Sequence, residues 1–256
     1  MVKTVILNIL LTFVVLVSST HAGKLGLVSA WLFEERSGDV IKDVVGTHDG
    51  VIIGKLNRTF YGKIGSAIRF SGKSDSHIRI PHGDVFNAAS YTFVAWVKLK
   101  PASWQYIVWR NGDAWPESEE IRHMDIWIHD EGFPVFMWTA GKHKGQIDGP
   151  TVITDDRWHH IAKVYDGEKV MMFIDGELDG EKLSDGTLDT NESPIWIGAR
   201  PGGIAATGLF DEVGFFTQAL SEDEVNAVKN SGLLDFAAVD AAGKTTITWA
   251  YLKARK

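Results

Sequence analysis

Cysteine is absent from the 256-residue sequence. Without thiols the chain cannot form a disulfide framework, a thiolate metal site or a cysteine nucleophile. Its stability must therefore come from packing, or from an ion held by oxygen ligands.

An excess of positive charge is absent as well, since the formal net charge is -7. Residues of like sign do not form long blocks. A protein that binds the phosphates of nucleic acids needs a basic face. The composition therefore argues against a nucleic-acid partner.

Long apolar runs are lacking after the N-terminus, so the mature chain is expected to have no transmembrane segment. Residues 1–22 combine Lys3, an apolar run over 5–17 and small residues up to Ala22, which is the pattern of a secretory signal peptide. The run is shorter than the ~20 residues that a membrane span needs, so cleavage near Ala22 is favoured over a retained anchor. The sequence predicts a secreted or extracytoplasmic protein.

Helical periodicity is also rare in this chain. Turn signals instead recur at roughly the 8 to 12 residue spacing that is typical of a sandwich or barrel. One helix is predicted over 222–230, where Ser221 and Glu224 form a capping box and Gly232 ends the helix. The sequence therefore predicts an all-β fold with one short helix near the C-terminus.

Two segments show the strand pattern most clearly. Residues 91–99, YTFVAWVKL, carry apolar side chains at both alternating sets of positions, which predicts a strand covered on both sides. In residues 155–180, Asp166-Gly167 and Asp175-Gly176 separate runs rich in Val, Ile, Phe and Tyr, which predicts a β-hairpin with a further extension.

Four segments in chain order form a combined pattern, namely LVSAWLFEERSGDVIKDVVGTHDG, GSAIRFSGKSDSHIRIP with YTFVAWVK, DRWHHIAKVYDGEKVMMFIDGE, and IWIGARP with LFDEVGFFTQALSEDEV. Together they resemble the LamG-like jelly-roll domains of the concanavalin A-like lectin/glucanase superfamily. This resemblance implies a two-sheet antiparallel jelly-roll sandwich over 23–234, often a binding module of extracellular proteins or enzymes. Residues 235–256 would then be a C-terminal tail, in which a last edge strand is expected.

Three aspartates are candidates for a structural calcium site. Asp211 lies in a predicted strand among apolar neighbours, where an unpaired carboxylate is costly. Asp43 and Asp49, with backbone carbonyls at 46–48, offer the hard oxygen ligands that Ca²⁺ prefers. The resemblance implies such an ion where an N-terminal loop meets a late strand. The alternative is that Asp43 and Asp49 form Asx-turns and that Asp211 is hydrogen-bonded.

Tryptophan is abundant, with ten residues, and part of it falls on a polar and aromatic row. Sugar sites combine indole platforms with hydrogen-bonding groups, so the row predicts a carbohydrate-binding face. The alternative is that most of these tryptophans are core residues. The row consists of His123, Asp125, Trp127 and His129, with Trp138 on the returning strand, Trp109 nearby, and Trp104 and Trp115 as an extension.

The carboxylate pattern of the glucanases in this superfamily is missing. That pattern resembles Glu-x-Asp-x-x-Glu on one strand, whereas Asp125 has no Glu two residues before it. An unconventional acid–base pair of Asp125 and His129 is the remaining catalytic alternative. A loop acidic patch is expected from Glu117, Glu119 and Glu120.

The leading hypothesis is a secreted, noncatalytic module that binds an extracellular glycan or protein. One alternative is a glycan-cleaving enzyme with a non-standard carboxylate pair. Another is a structural surface or adhesion protein whose sandwich mediates protein contacts.

Overall fold

The computed structural model describes residues 26–111, 121–200 and 202–241 of the chain. These residues form two eight-stranded antiparallel sheets, a two-stranded ribbon and two helices. The strands in chain order are β1 (Leu27–Trp31), β2 (Val40–Ile41), β3 (Gly50–Ile53), β4 (Asn57–Thr59), β5 (Ala67–Ser71), β6 (His77–Ile80), β7 (Tyr91–Leu99), β8 (Gln105–Trp109), β9 (Ile126–Ile128), β10 (Pro134–Ala140), β11 (His143–Asp148), β12 (Trp158–Tyr165), β13 (Lys169–Ile174), β14 (Glu177–Leu183), β15 (Ile195–Ile197), β16 (Ala199–Arg200), β17 (Ile204–Ala205) and β18 (Thr207–Phe216).

The strand order confirms the predicted jelly-roll sandwich. Sheet A has the order β14-β13-β12-β7-β18-β5-β4, and β1 also pairs with β18. Sheet B has the order β11-β10-β9-β8-β15-β6-β3-β2. The ribbon of β16 and β17 extends from sheet B. The pairing of β1 with β18 brings the two ends of the domain together.

The main core lies between the inner faces of the two sheets. Strand β7 is central in sheet A, and its alternate residues Phe93 and Val97 belong to this core. Val94 and Trp96 point to the outer side of the sheet and are also buried. The prediction that β7 is covered on both sides is therefore confirmed.

Two helices cover part of the outer face of sheet A. They are α1 (Glu222–Ser231) and α2 (Leu233–Ala241). Val225, Val228 and Leu233 pack on a second apolar cluster that includes Val94 of β7 and Phe216 of β18. Within the described ranges, no helix is long and apolar enough to cross a membrane.

The predicted helix is confirmed, together with its capping box. Ser221 Oγ accepts a hydrogen bond from the Glu224 backbone N–H, and the Glu224 carboxylate accepts one from the Ser221 backbone N–H. The second helix was not predicted, and its range of Leu233–Ala241 crosses position 235, where the expected tail begins. The signal peptide over 1–22 and the edge strand expected further along the tail lie outside the described residues.

The predicted hairpin is formed by β12 and β13 and extended by β14. The side of β12 that carries Ala162 and Val164 is apolar and faces the helices. The opposite side mixes apolar and polar residues and faces the core. Lys163 on that mixed side is fully buried. The core of this sandwich therefore contains a charged residue from sheet A.

Candidate functional site

The predicted polar row does not form along one strand, because the strand that should carry it is short. Strand β9 covers only 126–128, so His123 and Asp125 lie in irregular chain before it. Trp127 and His129 keep the predicted side, opposite the core-facing isoleucines of the strand. The row therefore divides into an interior part and a surface part.

His123 and Asp125 form the interior part. The His123 ring lies 4.8 Å from the Tyr91 ring, and its Nδ1 is 3.0 Å from the Asp189 carbonyl oxygen. Burial lowers the pKa of His123 to about 3, so the ring is neutral at physiological pH. Asp125 Oδ1 accepts a hydrogen bond of 2.9 Å from the Arg110 backbone N–H. Both side chains are inaccessible, with exposed fractions of 1% and 0%.

Lys163 joins the two sheets through this interior group. Its Nζ donates to the carbonyl oxygen of Met137 at 2.7 Å and to that of His123 at 3.3 Å. Burial lowers the pKa of Lys163 to about 7, although the nearby charge of Asp125 acts in the opposite direction. The charge of Asp125 thus offsets only part of the cost of burying Lys163 inside the sandwich.

Arg110 is a second buried cation that the sequence analysis missed. Its guanidinium donates to the carbonyl oxygens of Phe86 at 3.0 Å, Asn191 at 2.8 Å and Ser193 at 3.3 Å. Burial lowers the pKa of Arg110 to about 10. These partners are backbone groups up to 83 residues away, so no local pattern marks them.

The two further tryptophans of the predicted site are also buried. Trp138 lies in the core between the sheets with 1% of its surface exposed, so it does not share the face of Trp127. This placement corrects the expectation that the returning strand would extend the row. Trp109 does lie on the outer face, but it is fully buried and packs edge-to-face against Tyr106 with the ring centroids 5.5 Å apart.

Four side chains form an aromatic patch on the outer face of sheet B, namely Trp104, Trp127, His129 and Phe133. The indoles of Trp104 and Trp127 are stacked, with centroids 4.6 Å apart and planes 18° apart. His129 lies 5.6 Å from Trp104 and stacks on Phe133 at 4.5 Å. Trp104 is 45% exposed, so the patch is open to solvent at this residue.

The aromatic patch also carries polar groups. Trp127 is 6% exposed, and its Nε1–H has no hydrogen-bond partner among the described residues. His129 Nδ1 lies 2.7 Å from a carboxylate oxygen of Asp130. The patch thus combines apolar ring faces with a free donor and an imidazole, which is the mixture that ligand sites use.

Phe133 was missed because it falls in the turn between β9 and β10. Turns usually carry Gly, Asn, Asp, Ser or Pro, and an aromatic residue there is the only local signal of a role in contacts. Trp115, Glu117, Glu119 and Glu120, by contrast, lie outside the described residues.

The Asp43 carboxylate is saturated by backbone N–H groups. Its Oδ1 accepts from Ala30 at 3.0 Å and Gly46 at 2.9 Å, and its Oδ2 accepts from His48 at 3.0 Å. Asp49 accepts from the Asp43 backbone N–H and from Lys42 Nζ. Both residues therefore match the alternative reading, in which the loop is held by side-chain to backbone hydrogen bonds.

Asp211 lies beside a different loop. It accepts hydrogen bonds from the backbone N–H groups of Ile64 at 2.9 Å and Glu212 at 2.8 Å. Burial raises the pKa of Asp211 to about 8. In the ranges described, no group of three or more His, Asp or Glu side chains could hold a metal ion. Asp43, Asp49 and Asp211 thus do not fit a shared calcium site, and calcium binding stays a prediction.

The proposed acid–base pair is also separated. Asp125 is fully buried and interacts with interior groups, whereas His129 belongs to the aromatic patch. Hydrolysis of a glycosidic bond requires two carboxyl groups that both reach the substrate. Asp125 cannot contact a ligand that lies on His129.

Solved structures with the same architecture include toxin binding domains and a domain of an arabinanase. The binding domain of Paraclostridial Mosquitocidal Protein 1 matches with a TM-score of 0.65 at 18% identity, covering 81% of this chain and 52% of that one. Domain 4 of AbnA, a GH43 extracellular arabinanase from Geobacillus stearothermophilus, solved with arabinotriose, matches with a TM-score of 0.63 at 20% identity, covering 81% of this chain and 100% of that one.

A third match is the ligand binding domain of botulinum neurotoxin serotype D in complex with N-acetylneuraminic acid. Its TM-score is 0.64 at 11% identity, covering 82% of this chain and 52% of that one. The chain thus spans about half the length of these toxin domains. A comparison with curated proteins finds no match. At these identities the likeness supports the fold alone.

A family comparison covers more than half of the sequence. The family model described as the Concanavalin A-like lectin/glucanases superfamily matches residues 71–226. The matched range runs from β5 to the middle of α1 and includes the hairpin and the last long strand. The chain therefore belongs to the concanavalin A-like lectin/glucanase superfamily.

Proposed function

We propose that this protein is a secreted, noncatalytic module that binds carbohydrate on the aromatic patch of sheet B. The observation that carries the proposal is the exposed Trp104 indole stacked on Trp127, with His129 beside both rings. One face of Trp104 rests on Trp127, and the other face is available to a ligand. The apolar face of a sugar ring can stack there.

The polar groups of the patch suit the hydroxyl groups of a sugar. The Trp127 Nε1–H is buried within the patch, and a buried donor without a partner costs free energy until it is hydrogen-bonded. Because Asp130 engages the Nδ1 of His129, the Nε2 is the ring nitrogen through which His129 can form a hydrogen bond with a ligand. A ligand that stacks on Trp104 and accepts from Trp127 would therefore gain from both contacts.

Two further points support a binding role over catalysis. Asp125, the carboxylate of the candidate catalytic pair, is buried away from His129. The matched domains include one solved with arabinotriose and one solved with N-acetylneuraminic acid. These are ligands of those proteins, and for this chain they favour saccharides as the first probes.

A glycan array tests the proposal directly. We expect the native protein to bind at least one class of oligosaccharide, and Trp104→Ala to lower its affinity at least tenfold. Phe60→Ala is the matched control, because Phe60 is 77% exposed and lies outside the patch. A blank array would contradict the proposal and would favour a protein-contact role.

A conservative change separates stacking from hydrogen bonding. Trp127→Phe keeps an aromatic ring under Trp104 and removes the Nε1–H. We expect this variant to lose a few-fold in affinity, because one hydrogen bond contributes about 0.5–1.5 kcal/mol. Unchanged affinity for every array ligand would show that the Nε1–H takes no part in binding.

The noncatalytic part of the proposal has its own test. The protein is incubated with neutral and acidic polysaccharides of algal, plant and animal origin, and reducing ends are measured. We expect no release above the blank. Turnover that Asp125→Asn abolishes, in a variant with native circular dichroism, would overturn the proposal.

Secretion is tested by expressing the full chain and sequencing the N-terminus of the protein in the medium. We expect the mature chain to begin close to residue 23, after cleavage near Ala22. Retention of residues 1–22 on a cell-bound product would contradict this part of the proposal.

A further inference from the structure

A cleft lies on the outer face of sheet A, on the opposite side of the molecule from the aromatic patch. It has a volume of about 280 Å³. Its floor is formed by β18, and its walls by side chains from β5, β7 and β12 and from the loops that follow β4, β7 and β11. These residues are Tyr61, Arg69, Lys98, Lys100, Asp156 and Trp158.

The strand register places four cleft residues in one row. Trp158 pairs with Lys98, Lys98 with Leu209, and Leu209 with Arg69. Paired residues on one face of a sheet are neighbours, and strands lie about 4.8 Å apart. Lys98 and Arg69 are therefore separated by about 10 Å, with the apolar Leu209 between them as the floor.

The charges in this cleft are predominantly positive. Asp156 is the one carboxylate among its lining residues, and its Oδ1 lies 3.9 Å from Lys98 Nζ. Within the described part of the chain, Arg69 and Lys100 form no ion pair. The cleft thus carries a formal charge of +2, from three cations and one anion, on a chain whose net charge is -7.

Two aromatic side chains stand at the margins of the cleft. Tyr61 is 83% exposed in the loop after β4, and Trp158 is half-buried at the start of β12. An exposed tyrosine at this position buries little apolar surface in the folded protein, so the core does not require it. Tyr61 and Trp158 can instead cover the faces of a ring bound between them.

We propose that this cleft binds an acidic oligosaccharide, whose sugar rings lie against Tyr61 and Trp158 and whose carboxylate or sulfate groups meet Arg69, Lys98 and Lys100. Three cations facing a single carboxylate leave an excess of positive charge that attracts anions. Two cations about 10 Å apart across an apolar floor match an extended ligand with repeated negative groups better than one compact anion. The aromatic margins favour a sugar over a simple salt ion.

Titration calorimetry at 150 mM NaCl tests the cleft with polygalacturonate, dextran sulfate and neutral dextran. We expect binding to at least one of the two polyanions and none to dextran. The double variant Arg69→Gln/Lys100→Gln should lower the association constant at least tenfold, and both changed side chains are exposed. The two polyanions distinguish carboxylate from sulfate as the recognised group.

The matched control is Lys142→Gln/Lys182→Gln, which removes the same charge from two exposed positions outside the cleft. We expect this control to change the association constant less than twofold. An equal loss in both double variants would overturn the proposal in favour of non-specific attraction. Absence of binding to both polyanions by the native protein would overturn it as well.

A second pair of variants tests the sugar contact. Tyr61→Ala should lower the affinity for the polyanion about fivefold to tenfold, consistent with stacking worth ~1 kcal/mol. Phe60→Ala is the adjacent exposed control and should leave the affinity unchanged. Equal affinities of the two variants would contradict a ring contact at Tyr61.

This cleft does not depend on the proposed function of the aromatic patch. Trp104→Ala should leave the affinity for polyanions unchanged, and Arg69→Gln/Lys100→Gln should leave binding to neutral glycans unchanged. If Trp104→Ala removed polyanion binding while the cleft variants did not, the acidic ligand would belong to the patch and the cleft proposal would be wrong.

Discussion

Individual buried charges hold the two sheets together at one end of the core. Lys163 reaches from sheet A to the carbonyl oxygens of Met137 and His123, and Arg110 donates to three carbonyl oxygens from two distant segments. Groups of this kind are costly to bury and even costlier to leave without partners. Their removal should therefore affect stability more than ligand binding.

Replacing Lys163 by Met should destabilise the protein. The Met137 and His123 carbonyls would lose a donor and Asp125 a nearby positive charge, so we expect a loss of about 2–4 kcal/mol. Urea unfolding measures the change. Lys182→Met, at an exposed position, is the control and should stay within about 0.5 kcal/mol. Equal stabilities would show that the buried ammonium contributes nothing.

We expect Lys163 to make the stability of the protein depend on pH. The pKa of Lys163 is lowered from 10.5 to about 7 in the folded protein. Between these values the unfolded chain binds more protons at this site, so the contribution of Lys163 to stability rises with pH from about 7 towards about 10.5. Comparing the melting temperatures of the native protein and Lys163→Met across this range checks the sign.

We expect His159 to make the stability of the protein depend on pH in the opposite direction. Its Nδ1 lies 2.7 Å from Asp175 and its Nε2 3.0 Å from Asp155, and the hydrogen bond with Asp175 raises its pKa above 6.5. Its stabilising contribution is complete below pH 6.5 and is lost as the pH rises through the raised value. For a partly exposed ion pair we expect about 0.2–1 kcal/mol.

The test compares the native protein with His159→Gln by thermal unfolding. The difference in melting temperature should be larger at pH 5.5 than at pH 8.5. A difference that grows towards alkaline pH would contradict the assignment of His159 as the cation of this group.

At the scale of elements, the cap of α1 has a measurable effect. Ser221→Ala should destabilise the protein by about 1 kcal/mol, because the N–H of Glu224 loses its acceptor. Ser231→Ala in the last turn of the same helix is the control. Its hydroxyl donates to the carbonyl oxygens of Ala227 and Gly232 and caps no backbone N–H, so we expect a small change in the free energy of unfolding.

Element length explains which predictions succeeded. Strand β7 has nine residues, and the alternation of its side chains correctly predicted that both of its faces are covered. Strand β9 has three, so the same alternation fails for His123 and Asp125, which precede it. Periodicity identifies faces only where the strand is continuous, and a sequence does not show where irregular chain replaces a strand.

Long-range hydrogen bonds account for most of the remaining differences. Asp43 was read as a metal ligand, yet Ala30 and Gly46 donate to its carboxylate. The partners of Arg110 are carbonyls, which every residue type has, so sequence gives no sign of them. The superfamily and the exposed part of the aromatic row could be predicted, whereas the buried polar group could not.

On the scale of the whole molecule, the helices determine which part of sheet A remains open. They cover the end of the sheet around Val94 and Phe216, and the cationic cleft lies at the other end of the same strands. The aromatic patch lies on the outer face of sheet B, on the other side of the sandwich. The two proposed sites are thus separated by the full thickness of the core.

The two proposed sites face away from one another, and this arrangement determines how the protein would act on extracellular polymers. A ligand held at one of them leaves the other accessible, so one copy of the chain can connect two different polymers without forming a dimer. Beads that carry the neutral glycan found on the array should retain labelled polyanion only when the protein is added, and Trp104→Ala should abolish this retention. Such a protein would act as a cross-bridge in a mixed polysaccharide network.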